Sequence, residues 1–113
     1  MQILTPGHKY LLQNMENLEH GQTIQFIEKR AVESSIKDKA GRPMSPPTFE
    51  TVNDGTTNEE VLTMLIDRLE HLNQKLGHPL TFLALHHCGL ALSMLMQRTA
   101  ERQARGVEGT PQR

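Results

Sequence analysis

Near Gly55 the hydrophobic period of the chain changes from two to about 3.6, and this switch restricts the fold more than any other feature. Before it, short alternating runs are separated by Gly-, Pro- and Asn-rich stretches between Tyr10 and Val52, which is how strands and their turns read. The clearest run is Thr23-Ile24-Gln25-Phe26-Ile27-Glu28-Lys29, with Ile24 and Phe26 on one face and Thr23 and Gln25 on the other. Its expected partners are Tyr10 to Asn14 and Phe49 to Val52. The stretch from Ala31 to Thr48, with Ser34-Ser35, Gly41-Arg42-Pro43 and Pro46-Pro47, reads as an exposed, flexible loop.

After the switch the signals are helical. Thr56-Thr57-Asn58-Glu59-Glu60 contains two overlapping capping boxes, Thr56 with Glu59 or Thr57 with Glu60, directly after the turn-forming Asn53-Asp54-Gly55. Val61, Leu65, Leu69, Leu72 and Leu76 then lay one apolar stripe along a helix over 56–76, which Gly77-His78-Pro79 ends. A second helix is expected over 80–105, with Gly106 as its stop and 106–113 as a tail. Its apolar residues Phe82, Leu83, Leu85, Leu90, Leu92, Met94, Leu95 and Met96 cover more than one face. A single neighbouring helix buries only one stripe, so the surplus argues for self-association. The expected architecture is a single α+β domain over 1–113: a small N-terminal antiparallel β-sheet (10–52, with loop 31–48), then a two-helix antiparallel hairpin, oligomeric.

Composition narrows the functional classes. Twelve Lys and Arg against thirteen Asp and Glu give a net charge of −1, without the basic excess of a protein that coats DNA or RNA. Cys88 is the one cysteine, so no intramolecular disulfide forms, and the expected setting is reducing and cytoplasmic. Arg68, Glu70, His86 and His87 interrupt the longest apolar stretches, and no membrane segment is expected.

Three arginines form the most suggestive polar pattern. At 100° per residue Arg98, Arg102 and Arg105 project at roughly 0°, 40° and −20° on the second helix, a narrow sector whose guanidinium forks match phosphate oxygens. A solvated face explains the same spacing, because Glu101 stands between these residues and cations suit a helix C-terminus. The start of the first helix is a second candidate, where free backbone N–H groups, the hydroxyls of Thr56 and Thr57 and the amide of Asn58 suit an anion, a base or a ribose. Plain capping, with Glu59 and Glu60 already complementing the dipole, is the stronger explanation of these residues from sequence alone. His86-His87-Cys88 invites a metal reading, but adjacent helical positions point about 100° apart and no second ligand pair stands at a zinc spacing. Cys88 lies in an apolar helix without a basic neighbour, as an inert thiol would. No catalytic motif is present, so no enzyme, metal or cofactor is expected.

Four segments taken together carry a resemblance. Gly21-Gln22-Thr23-Ile24-Gln25-Phe26-Ile27, Asp54-Gly55-Thr56-Thr57-Asn58-Glu59-Glu60-Val61-Leu62, Leu65-Ile66-Asp67-Arg68 and Arg98-Thr99-Ala100-Glu101-Arg102-Gln103-Ala104-Arg105-Gly106-Val107-Glu108-Gly109 resemble the phage anti-Thoeris signal-sequestering family. The resemblance spans most of residues 10 to 109. It implies a viral sponge that binds a cyclic ADP-ribose isomer made by a bacterial immune sensor, silencing the signal without destroying it, in the cytoplasm of the infected host cell. Some members of the family also bind cyclic oligonucleotides at a separate site, and members assemble as dimers or hexamers. Arg98, Arg102 and Arg105 are the residues it marks for ligand binding, followed by Thr57 and Asn58, with Phe26 as a stacking surface for adenine. One departure is Leu85-His86-His87-Cys88-Gly89-Leu90, since similar proteins are more acidic in the middle of this helix. The departure bears on the cyclic oligonucleotide site rather than on the ADP-ribose site. The competing reading is a phage structural or regulatory protein-interaction module with no nucleotide ligand.

Overall fold

The computed structural model describes residues 1–32, 37–42 and 48–104. Five strands, β1 (Gln2–Thr5), β2 (Lys9–Gln13), β3 (Gly21–Gln25), β4 (Glu28–Val32) and β5 (Thr48–Asn53), precede two helices, α1 (Asn58–Lys75) and α2 (Pro79–Ala104). This is an α+β fold with antiparallel sheets first and helices after. The strands and the helices form two compact units, which meet in sequence between Thr56 and Thr57.

The strand unit begins earlier than the alternating pattern suggests. Thr5-Pro6-Gly7-His8 closes a tight turn in which the His8 N–H donates to the Thr5 carbonyl at 3.0 Å and Gly7 takes a φ of 78°. Proline sets the second position of such a turn and glycine supplies the positive φ of the third, so β1 folds back on β2. β3 pairs with the other side of β2, giving an antiparallel sheet in the order β1-β2-β3. Cross-strand register places Ile3, Tyr10 and Ile24 in one row, and the Phe26 ring meets Tyr10 edge-on with centroids 6.0 Å apart. Apolar and aromatic partners opposite one another supply most of what holds such a sheet.

The expected single run from Thr23 to Lys29 is instead two strands. β3 ends at Gln25, and Phe26 forms an isolated parallel bridge with Thr56. The Thr56 N–H donates to the Gln25 carbonyl and the Ile27 N–H to the Thr56 carbonyl, both at 2.9 Å. The chain then enters β4, which pairs antiparallel with β5 in a separate two-stranded sheet, with Arg30 opposite Glu50 and ion-paired to it. Period-two patterning marks faces but not where a strand changes partner, so this break was invisible in the sequence. The loop expected over 31–48 gives Ala31 and Val32 to β4, and Asp38 to Arg42 form a turn whose Asp38 carboxylate accepts from the Ala40 and Arg42 N–H groups, each at 2.9 Å. Residues 33–36 and 43–47 lie outside the described residues.

In the helical unit, three residues join α1 to α2, and the helices pack along one another. Half-buried positions on α2 include Thr81, Leu85, Cys88, Leu92, Leu95, Thr99 and Arg102, at alternating steps of four and three, with Gly89 and Ala91 beside them. On α1 they include Glu59, Leu62, Ile66, Leu69 and Asn73 at the same spacing. Such a heptad pattern is the seam of two nearly antiparallel helices. The apolar stripe read from sequence therefore divides: Val61 and Leu69 are half-buried, while Leu65, Leu72 and Leu76 are exposed. α2 is also long and apolar enough, by length and composition alone, to cross a membrane. The sequence reading missed this because Gly89, Ser93 and the histidines punctuate the helix without adding formal charge. A helix packed inside a protein assembly meets the same criterion.

Gly55 is a tight joint of the strand unit. A Cβ there would collide with the Gln25 carbonyl and the Phe26 backbone, because this residue passes directly under the end of β3. Gly55→Ala is expected to destabilise the protein by roughly 1–3 kcal/mol, the usual scale of forced overpacking. Urea denaturation measures it, and an unchanged midpoint would contradict the close approach.

Candidate functional site

The start of α1 is built by its own cap. Thr57 adopts an extended backbone, φ −121° and ψ 163°, and its Oγ1 accepts from the Glu60 N–H at 3.1 Å. Its carbonyl accepts the first helical bond, from the Val61 N–H at 3.1 Å. Of the two capping boxes in the sequence, the structure uses Thr57 with Glu60, because the Thr56 backbone is engaged in the bridge to Phe26. The Asn58 and Glu59 N–H groups, at the first two helical positions, have no intrahelical acceptor and mark the positive end of α1.

Arg98 and Arg102 belong to the far end of α2. Counting back from the turn, Asn58 stands level with about Met96, so α2 continues some 12 Å beyond the start of α1 at about 1.5 Å per residue. Both arginines thus lie at the same end of the hairpin as Thr57 and Asn58. Their environments differ. Arg98 is exposed, whereas Arg102 is half-buried, and its Nε is shielded from solvent without a hydrogen-bond acceptor among the described residues. The ion pairs among those residues are Arg30 with Glu50 and Arg42 with Asp38, so neither Arg98 nor Arg102 takes Glu101, Glu59 or Glu60 as a partner. Arg98 is therefore solvated without a carboxylate partner among the described residues, as a surface face would be, while the Arg102 Nε is withdrawn from water. A guanidinium N–H withdrawn from water without an acceptor carries a desolvation cost that an anion would offset. Arg105 lies outside the described residues.

Phe26 stands in the strand unit. There it lines a polar cleft of about 130 Å³ together with Thr5, His8, Lys9, Gln25, Glu28 and Asn53. Sequence reading had no access to this cleft, whose walls come from the β1–β2 turn, the end of β3, the start of β4 and the end of β5, and meet only once the strands pair. Gln25 is held by its amide, which donates to the Asp54 carbonyl at 3.0 Å. His86 and His87 are both exposed, with ring centroids 5.9 Å apart, and Cys88 is a half-buried free thiol. No cluster of three or more His, Cys, Asp or Glu suited to a metal occurs among the described residues.

No family model matches the chain. It is 36% identical over 83 residues to Thoeris anti-defense 1 of Bacillus phage SBSphiJ7, a match that takes in 67% of this chain and 58% of that relative. The chain therefore spans less than two thirds of the relative's length.

Arg102 offers a direct check on whether its position serves the fold. In ligand-free protein Arg102→Met should leave the melting temperature unchanged or raise it, because an unsatisfied polar group is replaced by an apolar one of similar length. A fall equivalent to about 2 kcal/mol or more would show instead that Arg102 holds the hairpin together.

Proposed function

The chain belongs to the phage anti-Thoeris family, and on that footing we propose that it defeats a host defence by sequestering a cyclic ADP-ribose isomer, chemically unchanged. The observation that carries this reading is the Nε of Arg102, shielded and without an acceptor among the described residues, at the end of the hairpin where α1 presents N–H groups that lack intrahelical acceptors. An ADP-ribose ring carries two adjacent phosphates. Two guanidinium forks and a helix N-terminus supply charge-assisted donors for such a group, and the Thr57 hydroxyl and Asn58 amide suit ribose or base edges. Cyclic oligonucleotides share the phosphodiester chemistry and are the second class of ligand. Phe26, in its own cleft, is kept as a stacking surface for adenine.

Sequestration needs donors and fit rather than a poised base or nucleophile, and donors are what Arg98, Arg102, Thr57 and Asn58 provide. A sponge acts by mass action, so it must be abundant and must bind more tightly than the receptor it starves. Self-association into a dimer or hexamer serves that end and gives the outer face of α2 a partner. Leu80, Phe82, Leu83, Leu90, Met94 and Met96 are each at least 44% exposed in the single chain. We place the action in the cytoplasm of the infected cell, where the signal is made.

The test is calorimetric titration of cyclic ADP-ribose isomers into protein whose mass is first read by light scattering, where an oligomer is expected. Arg98→Ala and Arg102→Ala should each weaken binding about ten- to a hundredfold, the loss of one charge-assisted contact, while Lys37→Ala changes nothing. No binding by the wild-type protein would favour a pure protein-interaction module. Equal, small effects at all three positions would return the arginines to the solvated surface.

A further inference from the structure

The turn between the helices is held by side chains rather than by glycine geometry. α1 stops at Lys75, and its cap, Leu76, is extended at φ −146° and ψ 91°, with its N–H still on the Leu72 carbonyl at 3.2 Å. The His78 N–H donates to Asn73 Oδ1 at 3.2 Å. The His78 carbonyl accepts from the Phe82 N–H at 3.1 Å, and its ring Nδ1 accepts from the Leu80 N–H, also at 3.1 Å. Pro79, next in the chain, has no N–H to satisfy. His78 therefore occupies the N-cap of α2 and makes, with an imidazole nitrogen, the bond that Ser, Thr, Asp or Asn makes at most helix starts.

That choice of residue has a chemical consequence. Nδ1 accepts only when it carries a lone pair, which requires a neutral ring protonated on Nε2. A second proton turns the acceptor into a donor pointed at another donor and sets a positive charge at the positive end of a 26-residue helix. The other titratable and charged groups on the two elements that meet here offer no relief. On α1 these are His71 and Lys75, with Glu70 further back, and on α2 the first turn contains no acid and the next histidines are His86 and His87. Among the described residues His78 has no carboxylate partner. The cap is therefore present while the ring is neutral and is lost when the ring gains a proton.

We propose that His78 is a proton-sensitive cap that locks the α1–α2 turn while its ring is neutral and releases the first turn of α2 when the ring gains a proton. Leu80 and Phe82, already 68% and 62% exposed, stand on the segment that is freed. Nuclear magnetic resonance on the full chain tests it. Nitrogen shifts of the His78 ring at pH 8 should show an unprotonated Nδ1. Exchange of the Leu80 amide, corrected for its intrinsic pH dependence, should quicken about fivefold on acidification, the size of a lost N-cap, with a midpoint matching the titration of His78 itself. In His78→Asn, which caps without titrating, the step should vanish and protection persist; in His78→Ala, protection should be low throughout. A ring protonated on Nδ1 at pH 8 would overturn the proposal. So would wild-type Leu80 protection that stays constant through the His78 titration, or an identical pH step in His78→Asn.

Discussion

No side chain among the described residues is fully buried, and the rest of the architecture answers to that shortage. A soluble domain of this length normally withdraws about two thirds of its unfolded surface from water around one core. Here the apolar side chains form a row on a small sheet and a seam between two helices, and both are only half covered. The hairpin seam is regular, but α2 also carries Leu83, Leu90 and Met94 on the side away from it. A helix apolar all round is at home inside a larger assembly, which is the physical basis for proposing self-association.

Polar groups show the same incompleteness at one end of the hairpin. The cap of α1 satisfies the Glu60 N–H and leaves those of Asn58 and Glu59 without intrahelical acceptors. Arg102, half-buried on α2, withdraws its Nε from water without an acceptor among the described residues. Two positive features at one end of a helix pair raise the local potential, and nothing described within the hairpin neutralises them. An anion carrying two phosphates would complete the arrangement at little conformational cost, since the donors sit on helices rather than on loops.

Much of this was legible in the sequence, and the parts that were not have identifiable causes. The change of period at Gly55 and the capping box at Thr57 mark the start of α1, because both are local signals read within one or two turns. Strand β1 escaped because Gln2 to Thr5 is too short to show alternation, although Thr5-Pro6-Gly7-His8 announces the turn that creates it. The division between β3 and β4 depends on Thr56 pairing with Phe26 thirty residues away, and the cleft around Phe26 depends on four chain segments meeting. The arginine spacing was visible, but whether Glu101 neutralises it was undecided by periodicity alone. The structure leaves Arg98 and Arg102 without carboxylate partners among the described residues, and Arg105 lies outside those residues.

The fate of the bound molecule separates sequestration from turnover. Excess cyclic ADP-ribose isomer is incubated with the protein, the protein is denatured by heat, and the released nucleotide is quantified by chromatography and by its ability to activate the downstream receptor. Recovery of all the ligand in active form, with depletion before heating stoichiometric with binding sites, is the expected result. Conversion of many ligand molecules per subunit to a product the receptor ignores would contradict it.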